Sequence, residues 1–259
     1  MKDKKIYITL IIIIFVFSVI MFALFGVKNI QSEKDYATII VGNRTVWKYE
    51  KNKWSIIRNL SSIESLNWQQ FKVFDNQNEL GNYYLWHDDR WYVFDENKSA
   101  INLEGDLFAY SSNYDLQIKH FSTEKTDVDA YVYQVLQDHD LSTSTKFTVL
   151  SKALIDFDHD QNVEEFYLLS NAFPNDFNPE YIFSFVFMVK NEQIYKIYDS
   201  IDKNRNMNGC KPYFTSFLDA DHDGNNEFIL SCGYYSDLGI VDMLYRFEDN
   251  QFKIVISNQ

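Results

Sequence analysis

The residues best suited to chemistry are four acids that fall within nine positions, 219–227. They occupy the first, third, fifth and ninth positions of that segment: Asp219, Asp221, Asp223 and Glu227. Calcium takes about six to eight oxygen ligands, and carboxylates at alternating positions can converge on one point. Gly224 allows a sharp left-handed turn, and Asn225 offers its backbone carbonyl. Since crowded carboxylates repel one another without a cation, this spacing predicts a calcium loop.

A second acidic segment, 156–164, repeats the pattern. Its oxygen-bearing residues at the equivalent positions are Asp156, Asp158, Asp160, Asn162 and Glu164. Gln161 stands where the glycine belongs, and a non-glycine residue in the left-handed conformation costs about 1–2 kcal/mol. We therefore expect structural Ca²⁺ at both segments, more weakly at this one. The simpler alternative for each segment is a solvated acidic turn.

The residues around the acids exclude one calcium motif and resemble another. An EF-hand needs flanking helices and a bidentate Glu at its last position, but Leu230 stands there, inside an apolar run. A strand-loop-strand setting resembles the calcium loops of FG-GAP and VCBS repeats, found in integrin-α-like propellers and exported bacterial proteins. The matching residues are Asp219, Asp221, Asp223, Gly224, Asn225 and Glu227. The resemblance implies β repeats with structural calcium, although those families often carry Asp at the ninth position.

Four segments predict the strands that would hold these loops. Each has two apolar-aromatic runs around a short polar turn, which is typical of a β-hairpin. The segments are 46–57, 83–94, 185–198 and 243–256. Their turns contain Asn or Asp, which tolerate left-handed backbone geometry. Together with 17% aromatic residues, the four hairpins predict an all-β, antiparallel fold.

A longer repeat unites the hairpins with the acidic loops. One copy spans 147–201 and the other 213–256, and their loops begin 63 residues apart (219 minus 156). Repeats of this length are typical of propeller blades or stacked sheets, and about four such units fit into residues 28–259. We therefore divide the chain into a hairpin region, 28–140, and two calcium-loop units, 141–259. Helical spacing also predicts a short helix near 127–138, with Thr126 and Asp129 as its capping box.

The first residues predict a membrane anchor. Residues 6–27 form an unbroken apolar run without a charge, long enough to span a bilayer as a helix. Lys2, Lys4 and Lys5 precede it, so the tail 1–5 is expected in the cytoplasm and the rest of the chain outside the cell membrane. A cleaved signal peptide is the alternative, but the run is long for one and no small-x-small site follows it.

The net charge indicates which partners the protein can bind, and the two cysteines allow at most one disulfide within the chain. A net charge of −13 opposes binding to nucleic acid and attracts cations. Cys210 and Cys232 could form one disulfide in an oxidising compartment or remain two small apolar side chains, and their spacing does not decide between these states.

The sequence contains no established catalytic motif. It has no HExxH, no GxSxG and no glycine-rich phosphate loop. His159 and His222 stand at the fourth position of each acidic loop, where we expect surface side chains. His87, Asp88, Asp89 and Arg90 lie at one hairpin turn and could form a glycan-binding patch or an acid pair for sugar hydrolysis, although a charged turn is the simpler interpretation.

These observations favour a non-enzymatic protein. We expect a membrane-anchored, extracytoplasmic β-repeat protein that acts as a binding or envelope-interaction module for a protein or glycan ligand. The alternatives are an envelope glycan hydrolase and a subunit of a membrane complex.

Overall fold

The computed structural model describes most of the chain beyond the first 35 residues. The described residues are 36–42, 45–75, 78–102, 107–111, 116–119, 121–142, 144–172, 181–202, 209–220, 223–234 and 239–258. The expected cytoplasmic tail and membrane anchor, and also Asp221 and His222, lie outside these ranges. Within them, no helix is both long enough and apolar enough to cross a membrane.

The first sheet, here called the N-terminal sheet, has eight antiparallel strands. They are β1 (Tyr36–Val41), β2 (Thr45–Glu50), β3 (Lys53–Ile56), β4 (Gln70–Asp75), β5 (Asn78–His87), β6 (Trp91–Phe94), β7 (Ala100–Ile101) and β8 (Leu107–Ser111). Their order is β3-β2-β1-β8-β4-β5-β6-β7. The hairpins predicted at 46–57 and 83–94 therefore share one sheet, because β8 pairs with both β1 and β4. A short helix, α1 (Leu60–Glu64), precedes β4.

Two further sheets each contain one copy of the predicted repeat. Their strands are β9 (Gln117–Lys119), β10 (Ser122–Lys125), β11 (Val149–Ile155), β12 (Glu164–Ser170), β13 (Ile182–Lys190), β14 (Gln193–Asp202), β15 (Cys210–Asp219), β16 (Glu227–Tyr234), β17 (Ile240–Glu248) and β18 (Gln251–Ser257). Strands β11–β14 form an antiparallel meander with β10 at its edge, and β15–β18 form another with β9 at its edge. The all-β, antiparallel character predicted from the sequence is confirmed.

Three of the four predicted hairpins close with two-residue turns of the same geometry. Both central residues have positive φ, as a type I′ turn requires: Lys51 and Asn52, Asn191 and Glu192, Asp249 and Asn250. The strand pairs on either side continue to the turn, as in Lys190 opposite Gln193. Because a type I′ turn matches the twist of the strands it joins, these turns set the register of the hairpins.

The three sheets stack face to face, with the β15–β18 sheet in the middle; we call it the central sheet. Along β16 the side chains alternate between its two faces. Phe228 and Leu230 pack against the β10–β14 sheet, whereas Ile229 packs against the N-terminal sheet with Trp47 and Ile39. Burial on both faces explains why β16 is apolar at consecutive positions rather than at every second one.

Helix α2 (Ala130–Asp138) covers the outer face of the β10–β14 sheet, which we call the helix-covered sheet. Val132, Val135 and Leu136 are buried against its strands. The N-cap is Asp129, whose Oδ1 accepts hydrogen bonds from the backbone N–H of Tyr131 and Val132, both at 3.0 Å. The helix lies where it was predicted, but Thr126 is not its cap, because Asp129 fills that position itself.

A disulfide joins the first two strands of the central sheet. It links Cys210 of β15 to Cys232 of β16, with their Cα atoms 5.2 Å apart, and both cysteines are fully buried. The bond lies in the core between the central and helix-covered sheets. This settles the choice between paired and free cysteines that their spacing left open.

Candidate metal centre

The two acidic loops occupy equivalent places in the two meanders. Each connects the first strand to the second, and each has its ninth residue paired with the residue before its first: Ile155 with Glu164, and Leu218 with Glu227. The loops are also neighbours, since the side-chain amide of Asn226 donates a hydrogen bond to the backbone carbonyl of Phe157. Two copies of one loop therefore lie side by side at the same edge of the stacked sheets.

The ninth residue closes each loop on itself. Glu164 Oε2 accepts a hydrogen bond from the backbone N–H of Phe157 at 2.7 Å, and Glu227 Oε2 accepts one from Ala220 at 3.1 Å. Both glutamates are almost fully buried, with 2% and 1% of their surface exposed. The longer side chain of Glu, relative to the Asp common in the resembling families, thus reaches back to the second loop position and leaves one oxygen, Oε1, for a cation.

In the second loop, Oε1 of Glu227 is engaged by a cation from the protein. Arg246 lies directly opposite Glu227 on β17, and its Nη2 and Nε atoms lie 2.6 Å and 2.7 Å from that oxygen. Both carboxylate oxygens of Glu227 are therefore engaged in this arrangement, and the side chain joins the loop backbone at Ala220 to Arg246 of β17. A metal in the second loop would draw its oxygens from the other predicted ligands, namely Asp219, Asp221, Asp223 and the carbonyl of Asn225.

Asp219 has the environment expected of a metal ligand. Only 3% of its surface is exposed, and its Oδ2 accepts a hydrogen bond from the backbone N–H of Gly224 at 3.1 Å, so the carboxylate faces the loop. Its Oδ1 is buried and has no hydrogen-bond partner among the described residues. A buried carboxylate oxygen without a donor is costly, and a divalent cation would remove that cost.

The rest of the described second loop fits the predicted turn. Gly224 has a φ of +86°, with open space where a side chain would begin. Asp223 Oδ1 accepts a hydrogen bond from the backbone N–H of Asn225 at 2.7 Å, which forms a compact Asx turn. Asp221 lies outside the described residues. The residues present therefore fit a cation held by side-chain and backbone oxygens.

The first loop brings three of its predicted ligands together. Asp156, Asp158 and Glu164 each place one carboxylate oxygen within 4.8 Å of the others. Oδ1 of Asp156 and Oδ1 of Asp158 are buried without a hydrogen-bond partner among the described residues. Gln161 adopts the predicted left-handed conformation, with φ at 70°. The remaining predicted ligands, Asp160 and Asn162, are exposed and bonded to each other: Asp160 Oδ1 accepts from the Asn162 N–H at 2.8 Å.

Lys190 places a positive charge inside this first loop. Its ammonium forms a close ion pair with Asp158 and lies 3.4 Å from Asp160 and 3.4 Å from Glu164. Its side chain is only 16% exposed. The ammonium thus neutralises three of the acids that a metal would use, as a cation supplied by the chain itself.

The pKa shifts in the first loop follow from these contacts. Burial raises the pKa of Glu164. Burial alone would lower the pKa of Lys190, but the hydrogen bond to Asp158 and the charge of Glu164 raise it overall, so Lys190 stays charged. The backbone hydrogen bond from Asn162 lowers the pKa of Asp160. The shifts thus favour the charged forms of Asp160 and Lys190, whereas burial disfavours the charged form of Glu164.

Lys190 and Arg246 were not identified from the sequence. Both stand on the third strand of their meander, 26 and 19 residues after the ninth-position glutamates (190 minus 164 and 246 minus 227). The sequence signal that could have found them is a basic residue on the strand that pairs with the glutamate.

His159 is exposed, as expected. Its Nδ1 lies 3.0 Å from the ammonium of Lys119.

Comparisons with protein-family models, with curated proteins and with solved structures found no match for this chain. The resemblance of the two loops to FG-GAP and VCBS repeats therefore rests on the loop residues themselves.

Proposed function

We propose that this chain is a single-pass, membrane-anchored protein whose extracytoplasmic β domain binds structural calcium and serves as a binding or envelope-interaction module. The observation that carries the metal part is the carboxylate of Asp219, buried in an acidic loop with one oxygen lacking a donor among the described residues. Calcium bound there would rigidify the connection between β15 and β16. The first loop would bind calcium more weakly, because the ion must displace Lys190.

Two independent features support the extracytoplasmic location. The apolar run 6–27 follows three lysines, which favours a helix whose C-terminal side faces away from the cytoplasm. The disulfide between Cys210 and Cys232 favours an oxidising compartment, because cytoplasmic thiols are kept reduced. An anchored domain stabilised by a disulfide and by calcium suits a cell surface, where millimolar calcium is common.

The metal part is tested by calorimetric calcium titration of the full chain in lipid nanodiscs, together with its melting temperature in calcium and in chelator. We expect calcium to bind and to raise the melting temperature. Asp219→Asn should abolish most of that rise, since it removes one negative charge from the buried ligand. The matched control is Asp249→Asn, which changes an exposed acid of a hairpin turn. A calcium response that survives Asp219→Asn unchanged would contradict the proposed site.

A further inference from the structure

A pocket of about 450 Å³ lies between the N-terminal sheet and the central sheet. The volume falls in the range typical of small-ligand sites, about 300–1,000 Å³. One wall comes from the end of β1 and from the β5–β6 turn, and includes Asp89 and Arg90. The opposite wall comes from the central sheet and includes Tyr213, Thr215 and Asp242. The charged turn noted in the sequence therefore forms part of a pocket wall.

The floor of the pocket is a fixed chain of hydrogen bonds that ends on Asp242. This aspartate is 4% exposed. Its Oδ1 accepts a hydrogen bond from the Ser231 hydroxyl at 2.6 Å, and its Oδ2 accepts one from the Thr45 hydroxyl at 2.7 Å. Asn258 holds the backbone beside it, accepting the Asp242 N–H at 2.9 Å. The carboxylate is thus locked in one orientation by residues of both sheets.

This carboxylate also determines the direction in which the Ser231 and Thr215 hydroxyl groups donate their protons. Ser231 gives its proton to Asp242, so its oxygen accepts the proton of Thr215, whose Oγ1 lies 2.7 Å away. Hydrogen bonds in such a chain strengthen one another. Because the Thr215 proton points inwards, its oxygen can only accept a hydrogen bond from whatever fills the pocket.

The opposite wall supplies donors as well as acceptors. Arg90 and Asp89 are exposed on the β5–β6 turn, and the Arg90 guanidinium stacks over the ring of Tyr92, 5.0 Å from its centroid. That guanidinium brings N–H donors to the wall that faces Thr215, and the Asp89 carboxylate brings acceptors. Tyr213 and Ile240 contribute apolar surface between these polar groups.

We propose that this pocket binds a neutral sugar residue of a glycan. Each sugar hydroxyl can donate to Thr215 or Asp89 and accept from Arg90, while the apolar face of a pyranose ring packs on Tyr213 and Ile240. A phosphate or another anion fits poorly, because two carboxylates stand beside one guanidinium among the described residues that line the pocket. The inference rests on the proposed binding role and names its ligand class, and it does not depend on calcium.

The test measures binding of neutral glucose and N-acetylglucosamine oligosaccharides to the full chain in lipid nanodiscs, by saturation-transfer NMR and calorimetry. A polyuronate and inorganic phosphate are measured in parallel. Two variants change opposite walls: Thr215→Val removes the acceptor but leaves Ser231 bonded to Asp242, and Arg90→Gln removes the charge of an exposed donor. The control is Lys253→Gln, which changes a basic residue beside a different hairpin turn. Melting temperatures verify that each variant is folded.

We expect at least one neutral oligosaccharide to bind, and each wall variant to weaken it about tenfold, whereas Lys253→Gln leaves it unchanged. Absence of binding by every neutral sugar, or binding that is insensitive to both wall variants, would overturn the proposal. So would tighter binding of polyuronate or phosphate. The calcium titration on the same samples keeps the outcomes separate, since a normal calcium response without sugar binding refutes the pocket alone.

Discussion

Replacing Lys190 by methionine tests whether the first acidic loop can bind calcium in place of the lysine ammonium. The substitution keeps most of the side-chain volume and removes the ammonium that contacts Asp158, Asp160 and Glu164. Breaking a buried ion pair costs about 3–5 kcal/mol. Here only Glu164 is deeply buried, while the other two acids are about a third exposed and partly screened by water. We therefore expect the free energy of unfolding to fall by about 2–3 kcal/mol in chelator.

Calcium should reverse most of this loss. The variant loop retains all of its acids, and no tethered cation competes for them. Calcium at about a hundred times its dissociation constant adds about 2.7 kcal/mol to the stability of the folded state. The assay is guanidinium unfolding of the full chain in nanodiscs, followed by tryptophan fluorescence, in calcium and in chelator. Calcium should stabilise the variant more than it stabilises the unaltered chain, and calorimetry should show one additional bound ion.

The matched control is Lys253→Met. That lysine also contacts two acids, Glu248 at 3.4 Å and Asp249 at 2.8 Å, but at an exposed hairpin turn, and neither acid belongs to an acidic loop. We expect little change in stability and no altered response to calcium. If Lys190→Met destabilised the protein equally in calcium and in chelator, the lysine would not occupy the place of a metal and the reasoning would be wrong.

Three further variants test the core and the helix cap. Replacing both Cys210 and Cys232 by alanine should cost about 3 kcal/mol, as expected for a bridge that closes a loop of 22 residues; an unchanged guanidinium midpoint would contradict this. Phe228→Ala should cost about 3–5 kcal/mol, because the fully buried ring packs in the core between two sheets, and calorimetric melting would measure it. Tyr167→Phe removes a hydroxyl 2.6 Å from Asp129, the cap of α2. We expect a loss of about 1–2 kcal/mol and faster amide exchange in that helix, with unaltered exchange as the contrary result.

Local patterns predicted the hairpins and the placing of the acidic loops well. The turn at Asn191 illustrates why, since a polar residue that tolerates positive φ between two apolar runs is a signal contained in a few neighbouring residues. The acidic loops carry an equally local signal, because alternating acids need a turn to gather them. The helix near 127–138 was found for the same reason, although its cap lies at Asp129.

The position of β8, the contacts of Lys190 and the pocket could not be predicted from the sequence, because they depend on pairing between distant parts of the chain. Nothing near β8 in the chain indicates that it lies between β1 and β4 and unites two hairpins in one sheet. Lys190 is similarly remote, because its position beside Glu164 depends on the register between β12 and β13. The pocket depends on long-range packing in the same way, since Asp89 and Asp242 line one pocket only when the two sheets stack. These features follow from packing between elements that are distant in the chain.

The middle position of the central sheet has a consequence for how the protein is made. Four of its five strands come after all the strands of the two sheets that it separates. The strands of the N-terminal sheet and of the helix-covered sheet are therefore synthesised first. Each of these sheets has an apolar face that the central sheet covers only after β15–β18 have been synthesised. A premature stop before β15 would leave two sheets with exposed apolar faces and no central sheet to cover them, and such a product would be a target for chaperones and proteases. The fold is thus completed when the last strands to be synthesised, β15–β18, pack between the two outer sheets.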